Sequence, residues 1–147
     1  MITAGIGLAL MVGLSCVGSA IGLVISGSAL MGMLKKRPEA FGTGLVMAAA
    51  PSTQGLYGFV AYILYSGAVT PAMTPFQSSI VLAAGIMVGI ACLLSAIYQG
   101  IMCANGIAAY GSGHNVVAQT LVLAAFPEFY AILSLVASIL MMGMLKL

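Results

Sequence analysis

The chain has 147 residues, of which 63% are hydrophobic and 4% charged, with a formal net charge of +2 and a mean hydropathy of +1.23. So little polar material cannot cover a water-soluble surface, and so small a net charge does not suit a nucleic-acid partner. An integral membrane protein is the class that remains. At about 20 apolar residues per span, the length predicts an all-α fold of four transmembrane helices with no soluble domain.

The first apolar run covers residues 3–34. Its start, MITAGIGLALMVG, has no basic segment and reads as a retained helix, not a cleaved signal. Lys35, Lys36 and Arg37, followed by Pro38, end it in a loop. The second run, 41–66, stops at Gly67, Pro71 and Pro75. The third, 77–109, stops at the YGSGHN segment of residues 110–115, and the fourth covers 116–145. The first and third runs exceed what a bilayer demands and are expected to tilt or project. Short loops make consecutive helices antiparallel neighbours, which divides the chain into two hairpins, 1–72 and 73–147. The 35–39 and 110–115 loops then share one side, and the basic cluster assigns it to the cytoplasm. The single Lys146 opposes this weakly.

Within the runs, Gly18-xxx-Gly22, Ala9-xxx-Gly13 and Gly85-xxx-Gly89 predict crowded faces where helix backbones approach. Tyr62 and Tyr65 read as interface anchors. Cys16, Cys92 and Cys103 lie in apolar segments without metal-ligand spacing and read as packing residues. His114, in a Gly-Ser loop, reads as solvent-facing.

The hairpins are a repeat. Sliding the chain so that Met11-Val12-Gly13 meets Met87-Val88-Gly89 also sets Cys16 on Cys92, Ser19-Ala20-Ile21 on Ser95-Ala96-Ile97, Leu45-Val46 on Leu121-Val122 and Pro51 on Pro127, without a gap. Both copies have the same orientation, so this is a parallel repeat. Its asymmetry is informative. Glu128 follows Pro127, but Ser52 follows Pro51, and Gln99 stands opposite Leu23.

Glu128 is one of two acidic residues in the chain and lies in the middle of an apolar run. A charged side chain at that depth costs roughly 2.5–3.5 kcal/mol on insertion scales. Its presence therefore points to an ion or proton site. Thr53, Gln54, Tyr57 and Gln99 are polar residues at comparable depth in the other helices. Thr53 and Tyr57 stack on one helical face, with Gln54 one step round. A Thr hydroxyl, two Gln carbonyls, the carboxylate and a backbone carbonyl freed at the Pro51 turn suit a hard monovalent cation. A proton needs less, so the surplus of neutral oxygens favours sodium (Na+) over H+. Tyr57 is placed to donate its hydroxyl to Glu128.

The tandem hairpin, PSTQGLYGF at 51–59, SAIYQG at 95–100 and FPEFYAILS at 126–134 resemble the proteolipid (rotor-ring, c or K) subunit of V-type and archaeal-type rotary ATPases. The resemblance covers essentially the whole chain. It implies a homo-oligomeric ring of four-helix subunits, with the first and third helices inside and the second and fourth outside. It also implies a membrane stator subunit with an essential arginine, a central-stalk subunit on the cytoplasmic loop side, surrounding lipids, and a prokaryotic plasma membrane. ATP would be made or hydrolysed by other subunits, so the chain itself would not be an enzyme. The motif of sodium-binding members carries over to Thr53, Gln54, Tyr57, Gln99 and Glu128, and to Ala50 as the residue that lends its backbone carbonyl. One carboxylate per four helices matches the duplicated ring subunits.

Two other readings fit four helices. A small ion-coupled multidrug transporter also has one intramembrane glutamate, but carries it early in the chain and lines its pocket with aromatics. A structural tetraspan protein would need neither Glu128 nor the two glutamines. A large detergent-resistant oligomer separates the rotor reading from the dimeric transporter.

Overall fold

The structure, a computed structural model, describes residues 2–146. It contains helices α1 (Ile2–Leu34), α2 (Phe41–Ala49), α3 (Thr53–Ser66), α4 (Pro75–Gly111) and α5 (Val117–Met141), with short 3-10 turns at Pro38–Ala40, Ala50–Ser52 and Met142–Lys146. Among the described residues there is no strand.

Three helical stretches, Ile2–Leu34, Pro75–Gly111 and Val117–Leu145, are each long and apolar enough to cross a membrane. The second predicted span differs from a continuous helix. Pro51 has no N–H to donate, and its ring crowds the carbonyl four residues back. The chain tightens into the Ala50–Ser52 turn there, and α2 and α3 complete that span in tandem. At the opposite loop the third span starts at Pro75, not at 77. Thr74 Oγ1 accepts from the Gln77 N–H at 3.2 Å, Gln77 Oε1 accepts from the Thr74 N–H at 2.9 Å, and Pro75 follows the cap. This is a capping box with proline where a helical N–H is unnecessary.

α1 and α4 run parallel and form the centre. Along them Gly7 lies against Val81 and Gly85, Gly18 against Leu93, and Gly22 against Ala96 and Gly100. Missing Cβ atoms let the two backbones touch along this stripe, which is how closely packed membrane helices gain dispersion contact. α3 returns antiparallel along α1, with Gly58 against Met11 and Ser15. α5 returns along α4, with Gly106 against Thr120. The core has two apolar clusters. Met11, Ala61, Tyr65, Val88, Cys92 and Ala131 belong to one, and Leu30, Met33, Met47 and Ile107 to the other. Along α4, Ser95 and Gln99 lie between them.

Several expectations meet this arrangement differently. Gly18, Gly22, Gly85 and Gly89 stand on crowded faces, but Gly13 has no neighbour within 4 Å of where its Cβ would be, and Ala9 is exposed. That pair therefore takes no part in the α1–α4 contact. Tyr62 is exposed, whereas Tyr65 is buried and donates its hydroxyl to the Ser138 carbonyl at 2.5 Å. It is a strut between α3 and α5 and not an interface anchor. Cys92 and Cys103 are buried and Cys16 is exposed; His114 is exposed.

The two predicted loops meet at one end. Arg37 Nη1 donates to the Tyr110 carbonyl at 3.0 Å, and its guanidinium carbon lies 4.7 Å from the Tyr110 ring centroid. Arg37 Nε also donates to Glu39 Oε1 at 3.1 Å. A backbone hydrogen bond and then this Arg37 contact hold the Glu39 carboxyl below its ordinary range.

The glycine stripe yields a paired test. A Cβ at Gly100 would lie 2.5 Å from the Gly22 carbonyl oxygen and 2.6 Å from its Cα, and backbone cannot give way as a side chain can. Gly100→Ala should lower stability by about 1–3 kcal/mol, the usual cost of overpacking. Gly27 has open space at the same position, so Gly27→Ala should be neutral or slightly stabilising through helix propensity. Thermal unfolding of the two variants in detergent checks this, and equal melting temperatures would refute it.

Candidate functional site

The break at Pro51 determines how the site is built. Because α3 starts afresh at Thr53, its first two turns present Thr53, Gln54 and Tyr57 to the interior layer between the two apolar clusters. Gln54 is fully buried, and Thr53 and Tyr57 are half-buried. α4 contributes Ser95 and Gln99, both buried and one turn apart. α5 contributes Glu128, half-buried, directly after Pro127.

Both carboxylate oxygens of Glu128 are engaged. The Tyr57 hydroxyl donates to Oε1 at 2.7 Å, and Gln99 Nε2 donates to Oε2 at 2.9 Å. Gln99 Nε2 also donates to the Ala124 carbonyl at 3.0 Å. Among the described residues the one ion pair is Arg37–Glu39, at the loop end, so no basic side chain compensates Glu128. Two neutral donors orient the carboxylate but leave its charge in place, and an uncompensated charge in an apolar setting must gain a cation or a proton.

The oxygens for a cation converge from the broken span. Thr53 Oγ1 lies 3.3 Å from both the Ala50 carbonyl oxygen and Gln54 Oε1. The hydroxyl donates to both oxygens but has one proton to share between them, and a hydroxyl and two carbonyl oxygens gathered this closely suit a hard cation. Gln54 joins this trio to the carboxylate, because its Nε2 donates to Gln99 Oε1 at 2.7 Å and to Ser95 Oγ at 3.0 Å. Ser95 Oγ in turn donates to the Pro127 carbonyl at 2.8 Å. The structure thus gathers Ala50, Thr53, Gln54, Tyr57, Gln99 and Glu128 into one connected network. Among the described residues no buried side-chain nitrogen or oxygen lacks a partner.

Ser95 is the member that the sequence reading does not single out. Its signal is present: it lies one turn before Gln99 and matches Ser19 in the repeat. Serine is common as neutral packing between membrane helices, so its spacing alone does not raise it above that role.

Comparison with known proteins agrees with the tandem organisation. The family model for the C subunit of ATP synthase matches the chain twice, at residues 6–65 and 82–141. These matches keep the register that sets Met11 on Met87. The chain is 37% identical over 147 residues to the A-type ATP synthase subunit K of Methanocaldococcus jannaschii, covering 99% of this chain and 64% of that protein. It is 35% identical over 127 residues to the V-type sodium ATPase subunit K of Enterococcus hirae, covering 86% of this chain and 81% of that one. It is 28% identical over 137 residues to the c' subunit of the V-type proton ATPase of Candida glabrata, covering 92% and 84%. With two family matches that together span most of its length, the chain belongs to the ATP synthase C-subunit family, in the tandem-hairpin form of the c/K proteolipids.

Proposed function

We propose that the chain is an ion-translocating rotor-ring subunit of a V/A-type rotary ATPase and that it carries Na+ on Glu128, one ion per four helices. The observation that carries this reading is the juxtaposition of an uncompensated carboxylate with the neutral oxygens of Ala50, Thr53, Gln54 and Gln99. Sodium would take the Ala50 carbonyl, Thr53 Oγ1, the two glutamine carbonyl oxygens and one Glu128 oxygen. Tyr57 would hold the other carboxylate oxygen. The word sodium in the name of the Enterococcus relative supports this choice. The proton in the name of the Candida relative keeps H+ as the alternative.

Glu⁻ and Na⁺ together are neutral, so a loaded site crosses lipid at modest cost, whereas an empty carboxylate does not. The empty site therefore waits for a cationic group, the arginine of a stator subunit, before it reloads. The hairpins 1–72 and 73–147 form the repeating unit of a homo-oligomeric ring bathed in lipid. The 35–39 and 110–115 loops face the cytoplasm of a prokaryotic cell and meet a central-stalk subunit. ATP is hydrolysed or made by other subunits, so this chain has no nucleotide chemistry of its own.

A hydrophobic carbodiimide reacts with the protonated carboxyl group, which gives a direct readout of the ion. Sodium should slow labelling of Glu128 in the isolated ring, and lower pH should speed it. Labelling that follows pH but ignores sodium would establish the proton alternative. Glu128→Gln should abolish coupled ion transport with the ring still assembled; transport at the normal rate in that variant would end the proposal.

Tyr57→Phe removes a single hydrogen bond to the carboxylate. A hydrogen bond to a charged group contributes about 1.5–3 kcal/mol, so the sodium dissociation constant should rise about 10- to 150-fold. Sodium titration of the isolated variant ring measures this, and an unchanged constant removes Tyr57 from the site.

A further inference from the structure

Two serines at equivalent places in the repeat hold one short piece of chain. Ser19 Oγ of α1 accepts from the Gly55 backbone N–H at 2.8 Å. Ser95 Oγ of α4 accepts from Nε2 of Gln54, the preceding residue, at 3.0 Å. The first grips the backbone just beyond the Pro51 break, and the second grips the amide of a proposed ion ligand. Each serine is 6% exposed, so water offers little substitute for either contact.

The direction of every hydrogen bond around Gln54 follows from which groups can only accept. The carbonyls of Pro127 and Ala124 and the Glu128 carboxylate have no proton to give. Ser95 has one proton and donates it to Pro127, so its oxygen accepts, and the amino end of Gln54 must face it. Gln99 donates to Ala124 and Glu128, so its carbonyl oxygen accepts, again from the amino end of Gln54. Both N–H groups of Gln54 are then committed, and its Oε1 is turned toward Thr53.

We propose that Ser95 is a positioning residue of the ion site: by fixing the Gln54 amide it keeps the Gln54 carbonyl oxygen presented to sodium, and it sets sodium affinity without contacting the ion or the carboxylate. The inference rests on the sodium reading of this site. Loss of Ser95 leaves one Gln54 N–H without an acceptor, and the amide swings about its remaining contact with Gln99. Sodium must then pull back into place an oxygen that is no longer preorganised. A proton ends on Glu128 itself and does not use that oxygen, so Ser95 discriminates between the two ions.

Ser95 has a conservative variant. It borders an open apolar groove of about 430 Å³ between α4 and α5, lined also by Leu94, Tyr98, Phe126 and Tyr130. Threonine keeps the hydroxyl and adds one methyl group, which makes it the conservative variant.

The test is carbodiimide labelling of Glu128 in assembled rings, titrated separately with sodium and with pH. Ser95→Ala should raise the sodium concentration for half-protection roughly 2- to 12-fold, the range for one neutral hydrogen bond. Its pH midpoint without sodium should stay at the wild-type value, and Ser95→Thr should restore sodium protection. Wild-type sodium protection in Ser95→Ala overturns the positioning role. So does a pH midpoint that moves together with the sodium midpoint, or a threonine variant that behaves like alanine. Wild-type rings whose labelling ignores sodium overturn the sodium reading itself and the Ser95 inference with it, an outcome visible before any variant is made.

Discussion

A carboxylate inside an apolar bundle, with no basic side chain beside it, must find all its support in neutral donors. Glu128 finds two, the Tyr57 hydroxyl and the Gln99 amide. Each donor then has to be satisfied in turn. Gln99 receives a hydrogen bond from Gln54, and Gln54 also donates to Ser95, which ends the chain of donors on the Pro127 carbonyl. Partly satisfied networks are costly at low dielectric, so this one is closed at every buried atom described. The demand reaches the backbone too. Three separate stretches of chain must come within hydrogen-bond reach at one level, and the glycine contacts of α1 with α4 help bring the hairpins that close.

Much of this was legible in the sequence because membrane composition is so restrictive. Against a background of 4% charged residues, Glu128, Gln54 and Gln99 stand out in the middle of apolar runs, and the duplication shows which half owns each. Proline positions foretold trouble in the second span, and the structure expresses it as the Ala50–Ser52 turn. Other features were hidden because their residue types have more than one stable use. Tyr65 is as suited to a membrane interface as to a buried strut, and only the approach of α5 decides between them. Ala9 and Gly13 have the same spacing as Gly18 and Gly22 but point away from α4. Helical periodicity alone does not say which of two small-residue faces a neighbour will choose. Ser95 was concealed in the same way.

Duplication lets the two copies specialise. Pro51 and Pro127 are equivalent in sequence, yet the first lies at a 3-10 break and the second inside the continuous α5. The broken copy brings the Ala50 carbonyl, Thr53 and Gln54 to the network, while the continuous copy brings Glu128 together with Gln99. Ser19 and Ser95 diverge similarly, one engaging a backbone N–H and the other an amide side chain. A single ancestral hairpin would have to provide both sets of groups from one sequence. Two hairpins relieve that conflict, because each proline is free to adopt the geometry its own half requires.

The polar layer lies between two apolar clusters, with Met11, Val88 and Ala131 on one side and Leu30, Met47 and Ile107 on the other. This fixes an electrical coordinate as well as a structural one. Moving a unit charge across a membrane involves about 2.3 kcal/mol per 100 mV. On the proposed function, a cation entering a layer at mid-membrane would cross about half of the field, or about 1.2 kcal/mol per 100 mV. Loading and release at opposite faces would then share the voltage nearly evenly, and neither step alone would bear the full electrical work. A binding layer displaced toward one end of the bundle would concentrate that work in a single step and make its occupancy far more sensitive to membrane potential.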